Sequence, residues 1–299
     1  MGDTGSDWCG TANLRFARGD QGTRHQGGTT SPLKVQRSFQ QADGRCELPI
    51  LHTAGGLVGG DRLSIAATLE AGSRALLTSV AAQKVYGSIG RSRRAPAGSW
   101  ARQDLEFSLE AGADLEWLPQ ELVLYAGGLF EQRARVTLAP GAGWLGGEVV
   151  RLGRTAAGED LGEGRWRSLL EIRRLGATAS EPDRWELVDR IELGGSSLKG
   201  SHGMDGVPVF GSLVWAAPEP LAGEVLVQLL EDCRRDRQGL SGSMACGALD
   251  QGLVARYRGA TSADARCWFT RVWARLRAVQ GLGAPLIPRV WPFQEQSLG

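Results

Sequence analysis

From about Leu33 to residue 215, apolar and polar residues alternate in short runs: Leu63, Ile65, Ala67 and Leu69; Leu105, Phe107 and Leu109; Ala134, Val136 and Leu138; then Trp185, Leu187, Ile191 and Leu193. A two-residue period turns one face of an extended chain to a core and the other to water, so each run predicts a half-buried strand. A repeated corner joins the runs. Leu69-Glu70-Ala71-Gly72-Ser73, Leu109-Glu110-Ala111-Gly112-Ala113 and Leu138-Ala139-Pro140-Gly141-Ala142 each end one strand and start another, with a glycine free to take positive φ at a corner or hairpin turn. Spacings of 40 and 29 residues between these corners are too uneven for a strict solenoid, yet they favour stacked β layers over one small barrel.

After residue 220 the period changes. Val225, Leu226, Leu229 and Leu230 form a helical stripe that predicts a helix from about Leu221 to Arg234, with Arg234 and Arg235 at the end where the helix dipole favours cations. Ala265, Trp268, Phe269, Val272, Trp273, Leu276 and Val279 predict a second helix, and Thr261 with Asp264 resembles a capping box at its start. Leu253 to Gly259 reads as a strand between them. Pro285, Pro288 and Pro292 enforce an extended tail in which Val290 and Trp291 dock as an arm. Residues 1–30 are rich in Gly, Asp, Thr and Gln without clear periodicity and read as a flexible leader; residues 31–299 read as a single, mainly β domain that includes the two helices and the Pro-rich arm.

Composition narrows the function. The chain has 299 residues, 42% of them hydrophobic, which suffices for a sizeable core. Thirty-four basic against 33 acidic residues leave a charge of +1, so no field draws in a polyanion and no nucleic-acid partner is expected. Arg91, Arg93 and Arg94, set among Gly, Ser and Pro, read as a solvated loop. No apolar run approaches the roughly 18 residues of a membrane span, and no secretory signal is visible, so a cytoplasmic protein is expected. Three histidines and five cysteines, without a C-x-x-C pair, predict reduced thiols and no high-affinity metal site.

The densest local feature is Ala54-Gly55-Gly56-Leu57-Val58-Gly59-Gly60-Asp61, which fits neither phosphate-loop spacing and leads into a strand. Close backbone approach explains Gly55, Gly56, Gly59 and Gly60; it leaves His52 and Asp61 pinned to a rigid loop as candidate site residues. Glu116 and Glu121 interrupt an apolar strand region, and Pro119 between them, lacking a ladder N–H, predicts a bulge or bend that could turn both to one face. Paired carboxylates suit acid–base work or cation binding; the competing reading is that one is solvated and the other pairs with an arginine. Lys84 is unusual in a chain that prefers Arg, and reads either as a buried lysine with a carboxylate partner or as a surface residue at a strand end. Neither G-x-S-x-G nor H-E-x-x-H occurs.

The wording of these segments adds a resemblance. Ile50-Leu51-His52-Thr53-Ala54-Gly55-Gly56-Leu57-Val58-Gly59-Gly60-Asp61, and Leu76-Leu77-Thr78 leading to Ala81-Ala82-Gln83-Lys84-Val85-Tyr86, resemble the UreD (UreH) family of urease accessory proteins. Leu115 to Glu121, Leu152-Gly153-Arg154 with Gly158-Glu159, Gly164 to Ser168, Leu253 to Gly259 and Pro288 to Pro292 are similar to further blocks of that family, in the expected order. The family commonly carries Gln, Thr and Arg where this chain has Val80, Gln83 and Gly87, so roles resting on those residues are not carried over, whereas Lys84 is kept.

The resemblance implies a layered, β-helix-like fold and a non-enzymatic role. UreD-like proteins join UreF and the GTPase UreG in a heteromeric complex on apo-urease and help deliver nickel, with an internal water-filled tunnel as the implied route. No tightly bound cofactor is implied, only transient Ni(II). Carboxylates and waters hold Ni(II) more loosely than imidazole and thiolate do, which suits a carrier that must release it. His52, Asp61, Glu116 and Glu121 are the metal-path candidates on this reading, with Lys84 and Tyr86 as supporting polar groups and Lys84 paired to one of the carboxylates. Two alternatives compete: a purely structural adaptor through which no metal passes, and a β-scaffold hydrolase using Glu116 and Glu121.

Overall fold

A computed structural model describes residues 8–178 and 180–291. β1 (Cys9–Gly19) and β2 (Gly22–Thr29) form a hairpin, followed by the short β3 (Leu33–Val35) and β4 (Phe39–Gln40). From β5 (Cys46–His52) onward the chain alternates between two sheets. β6 (Arg62–Leu69) lies in the first, β7 (Arg74–Ser79) and β8 (Gln83–Val85) in the second; β9 (Ala101–Leu109) returns to the first, and β10 (Asp114–Trp117) and β11 (Leu122–Leu124) to the second. β12 (Leu129–Leu138), β13 (Gly143–Leu152) and β14 (Arg165–Arg174) continue this alternation. Neighbours are parallel along β1-β6-β9-β12-β14 in the first sheet and along β5-β7-β10-β13 in the second. The winding is that of a flattened β-helix with two faces.

Register explains the uneven corner spacing. Leu69, Leu109 and Leu138 are direct neighbours on three successive strands, so 40 and 29 residues are the lengths of two rungs of one winding. The longer rung carries the loop between β8 and β9. The corners take the chain from one sheet to the other, and they stack: Gly72, Gly112 and Gly141 have φ of +66°, +67° and +73°, and the Gly72 N–H donates to the Ala111 carbonyl at 2.9 Å.

Antiparallel strands close the stack. β15 (Arg184–Leu193) pairs with β14, and β16 (Val209–Ala216) pairs with β13. After α1 (Gly223–Arg235), the hairpin β17 (Ser243–Leu249) and β18 (Gly252–Gly259) extends the second sheet, and α2 (Ser262–Val279) packs over it. Thr261 caps α2 as expected, its Oγ1 accepting the Asp264 N–H at 3.1 Å. Trp291 of the arm docks against Trp273, ring centroids 6.2 Å apart; Pro292 falls outside the described residues. No helix among the described residues is long and apolar enough to cross a membrane.

One expectation is corrected. Residues 9–29 are no flexible leader: β1 lies parallel to β6 from Cys9↔Arg62 to Phe16↔Leu69 and buries Ala12, Leu14 and Phe16. Ala12, Leu14 and Phe16 alternate with Asn13 and Arg15 as in the later strands, but the run is short and is followed by the polar, Gly-rich β2 on the sheet edge, which carries no such period. Residues 1–7, the rest of that expected leader, lie outside the described residues.

The layers define two cores. Inward side chains such as Leu63, Ile65 and Leu105, with Leu115, Trp117 and Trp144, fill the space between the sheets; Leu76, Leu118, Leu145 and Leu213 face the other way, toward Trp268, Phe269 and Trp273 of α2.

Candidate functional site

Between the sheets, apart from the buried Arg174–Glu186 pair whose guanidinium reaches the Ala142 and Ala217 carbonyls near one corner, polar side chains fall along one line. On the first sheet Gln103, Gln132 and Ser168 sit side by side in register on β9, β12 and β14, all on the inward face. Across from them Glu148 of β13 points inward, and Gln120, Gln83 and His52 continue the polar wall around a cavity of about 60 Å³, room for a few waters. The line extends past Glu148, because Ser212 is its register neighbour and Arg256 is the neighbour of Ser212. Arg256 hydrogen-bonds Ser212 and forms an ion pair with Asp189 of β15, linking the two sheets at that end.

Glu148 is the central charge. Gln132 Nε2 donates to its Oε2 at 2.9 Å, and the Ser168 hydroxyl lies 3.3 Å from Oε1. The residue sits deep in the molecule yet keeps some accessible surface, and that surface is cavity wall. Burial pushes its carboxyl up to about 7, against the opposing pull of Arg256 and of the Ser168 and Gln132 hydrogen bonds. A carboxyl pKa raised above its unfolded value means that the native state binds more protons between those values, so ionisation of Glu148 destabilises the fold as pH rises through that window. Glu148→Gln is therefore expected to raise stability at pH 8, by roughly 1–3 kcal/mol, and to change little near pH 4. Thermal unfolding at the two pH values measures this; an equal difference at both would show a carboxyl titrating as in open water.

His52 supplies the one imidazole of the cavity. Its Nδ1 is 3.4 Å from Gln83 Nε2, and its Nε2, like the Gln120 side-chain nitrogen, has no hydrogen-bond partner among the described residues. Burial lowers its pKa, with Asp61 acting the other way, so the ring is neutral at pH 7. A neutral ring with an unpaired nitrogen, an unpaired amide and a half-titrated carboxyl form a wall suited to a small polar guest.

The glycine loop buttresses this end of the cavity. Leu57 bridges β8, its N–H donating to the Lys84 carbonyl at 2.8 Å while its carbonyl accepts the Tyr86 N–H at 2.8 Å. A Cβ on Gly56 would stand 2.5 Å from the Tyr86 ring and one on Gly59 2.6 Å from the Ser99 carbonyl, so these glycines serve close approach. Asp61 ties the loop together by accepting the Val58 N–H at 2.8 Å. Tyr86 is at the surface, edge-on to Tyr125 at 5.0 Å. Lys84 is exposed, and among the described residues no carboxylate pairs with it, which removes the expected lysine–carboxylate pair.

Glu116 and Glu121 do turn to one face, as the bend at Pro119 predicted, but that face is the helix layer and not the cavity. Glu116 Oε1 accepts the Trp273 indole N–H at 2.8 Å and Arg277 Nη1 at 3.0 Å, and Arg45 Nε is 3.4 Å from Oε2. Glu121 pairs with Arg266 at 3.0 Å. Each carboxylate is neutralised by α2, so the structure does not bring them together as an acid–base pair, nor beside His52. Among the described residues no three His, Cys, Asp or Glu side chains cluster to hold a metal ion.

The model of a family described as the UreD urease accessory protein matches residues 9–292. A urease accessory protein UreD of Synechococcus sp. (strain WH7805) is 62% identical over 296 residues, covering 97% of this chain and 93% of that protein. Another, from Prochlorococcus marinus (strain MIT 9303), is 59% identical over 274 residues, covering 92% and 91%. The chain belongs to the UreD family of urease accessory proteins. The UreD match starts at Cys9, the first residue of β1, so the strands that precede Leu33 are part of the family domain. The family is accessory to urease and is not the urease catalytic chain.

The sequence reading missed Glu148, Gln103 and Gln132. Their signal was present: Gln132 is in phase with Phe130 and Ala134, Gln103 with Ala101 and Leu105, and Glu148 with Trp144 and Val150, so each is a polar residue at an inward position. Gln103 and Gln132 are also 29 residues apart, the spacing of the corners at Leu109 and Leu138.

Proposed function

We propose that this UreD-family chain works in the cytoplasm with UreF and UreG on apo-urease, and that Ni(II) passes along its inter-sheet polar line on the way to the urease active site. The polar line supports this: amides, hydroxyls, one carboxyl and one neutral imidazole sit among apolar side chains, distributed along the line and not gathered into a cage. Such a donor set suits cargo that must leave again. Oxygen ligands and a single nitrogen bind Ni(II) weakly enough for exchange, whereas a cluster of thiolates would hold it.

The chain's own residues divide the work. His52 offers its nitrogen lone pair at the end buttressed by the glycine loop, and Gln83, Gln103, Gln120 and Gln132 present amide oxygens between the sheets. Glu148, with a pKa of about 7, gives up its proton to the solvent when a cation approaches and takes one back when the cation leaves. Arg256 lies beyond it and its positive charge discourages a cation from going further along the line. None of the thiols of Cys46, Cys233 and Cys246 is a wall residue of the cavity, so these strong ligands stand off the route.

Mixing the purified chain with UreF, UreG, GTP, apo-urease and Ni(II) tests the proposal. The expected result is a co-purifying assembly and urease activity that requires this chain; activity that develops equally well without it would overturn the role.

A further inference from the structure

The second sheet is not continuous beside Glu148. β10 pairs with β13 as far as Trp117↔Gly146, and pairing resumes in β11 at Leu122↔Val150, so residues 118–121 face only 147–149. On the other side the β7 and β10 pairing stops at Leu77↔Trp117 and resumes at Gln83↔Leu122, leaving residues 78–82 outside this ladder. Pro119 has no N–H to give, and hydroxyls bridge part of the gap: Thr78 Oγ1 donates to the Leu118 carbonyl at 2.6 Å, and the Gln120 N–H donates to Ser79 Oγ at 2.8 Å. Gly147 keeps the gap clear, because a Cβ there would stand 3.1 Å from Leu213 and 3.2 Å from Leu118.

A second cavity, of about 30 Å³, lies on the far side of this gap, between the sheet and α2. Pro119, Glu148 and Val149 belong to the walls of both cavities. Trp291 roofs the outer one. Its indole N–H donates to Thr78 Oγ1 at 2.7 Å, the Arg266 guanidinium lies 5.1 Å from its ring centroid, and Trp273 flanks it. One side chain of the arm thus spans the gap and touches both the sheet and the helix.

We propose that the inter-sheet cavity has a mouth toward the helix layer, through the interrupted ladder between Pro119 and Glu148, and that Trp291 closes it. The inference rests on reading the cavity as a conduit, and it adds where the conduit opens toward the helix layer. A cation leaving by this mouth passes from the Glu148 carboxyl into the outer cavity, where the charge of the wall residue Arg266 is offset by its pair with Glu121. Lifting the arm exposes the mouth without disturbing either β-helix sheet, since Trp291 lies outside every strand.

Thiol accessibility tests this without nickel or urease. In the full chain carrying Gln103→Cys, the new thiol faces the inner cavity from the first sheet; its reaction with a small cationic methanethiosulfonate is followed peptide by peptide by mass spectrometry. Adding Trp291→Ala is expected to raise the labelling rate at position 103 about tenfold, and Trp291→Phe, which keeps a ring but loses the indole N–H, to raise it less. A Leu105→Cys thiol, two residues along the same strand in the dry core, is expected to stay unlabelled in all backgrounds. No rise at position 103, or an equal rise at 103 and 105, would overturn the mouth and its closing residue. A rise at 103 alone with no nickel passage in the activation assay would leave the mouth standing and remove the cargo assigned to it.

Discussion

Replacing Glu116 by alanine is expected to cost about 3–5 kcal/mol of folding stability, the usual effect of stripping one partner from a buried ionic network. Arg45 and Arg277 are almost wholly buried, and both lean on this carboxylate. Asp114 and Asp43 would still hold Arg45, at 2.5 and 3.5 Å, and Asp43 would hold Arg277 at 2.8 Å, but the Trp273 indole and one guanidinium N–H of Arg277 would lose their acceptor. Burial pushes the Glu116 carboxyl up, against the pull of the two arginines, so the network works only with all its members in place. The loss would fall on the seam between β10 and α2, the layer that carries the Trp291 roof. Urea unfolding measures it; a midpoint equal to that of the parent chain would mean that the network contributes nothing to the fold.

That network also shows what a sequence hides. Glu116 and Arg277 are 161 residues apart, so nothing near Glu116 signals that its charge is already matched. Paired carboxylates therefore looked like candidate chemistry when they are struts between a sheet and a helix. Features of short range were legible. Alternation in the runs at Leu63, Leu105 and Ala134 marked strands, Thr261 marked the start of α2, and Pro119 marked the break in the ladder.

The glycine-bearing corners were legible as turns, and their spacing carried more than a turn. Leu69, Leu109 and Leu138 are one column of the winding, so the same offsets aligned the strands between them. The polar line is the part that needed the fold. Gln103, Gln132, Ser168 and Glu148 come from four strands in two sheets, and each alone is an ordinary polar residue in a strand; only stacking of the rungs brings Gln103, Gln132 and Glu148 around one cavity with Ser168 against Glu148. β2 needed the fold as well, since its pairing with β1 compensates for a weak local pattern, whereas the short alternation of β1 at Ala12, Leu14 and Phe16 was legible in the sequence.

The central claim is that this polar line carries Ni(II), and blocking it has the second large effect. In a chain with both Gln103→Leu and Gln132→Leu, the inward face keeps its volume but loses two amides that border the cavity and the hydrogen bond from Gln132 to Glu148. A cation crossing the altered stretch finds aliphatic wall in place of amide oxygen, and a barrier higher by about 1.4–3 kcal/mol slows passage roughly 10- to 100-fold. The outer surfaces are untouched, so assembly with UreF and apo-urease should be retained. The decisive measurement is the rate of nickel- and UreG-dependent urease activation by this double variant, taken beside its co-purification with the same partners. Activation slowed at least about tenfold with assembly intact is the result expected of a conduit; activation at the parent rate would contradict it and leave the chain an adaptor through which no metal passes.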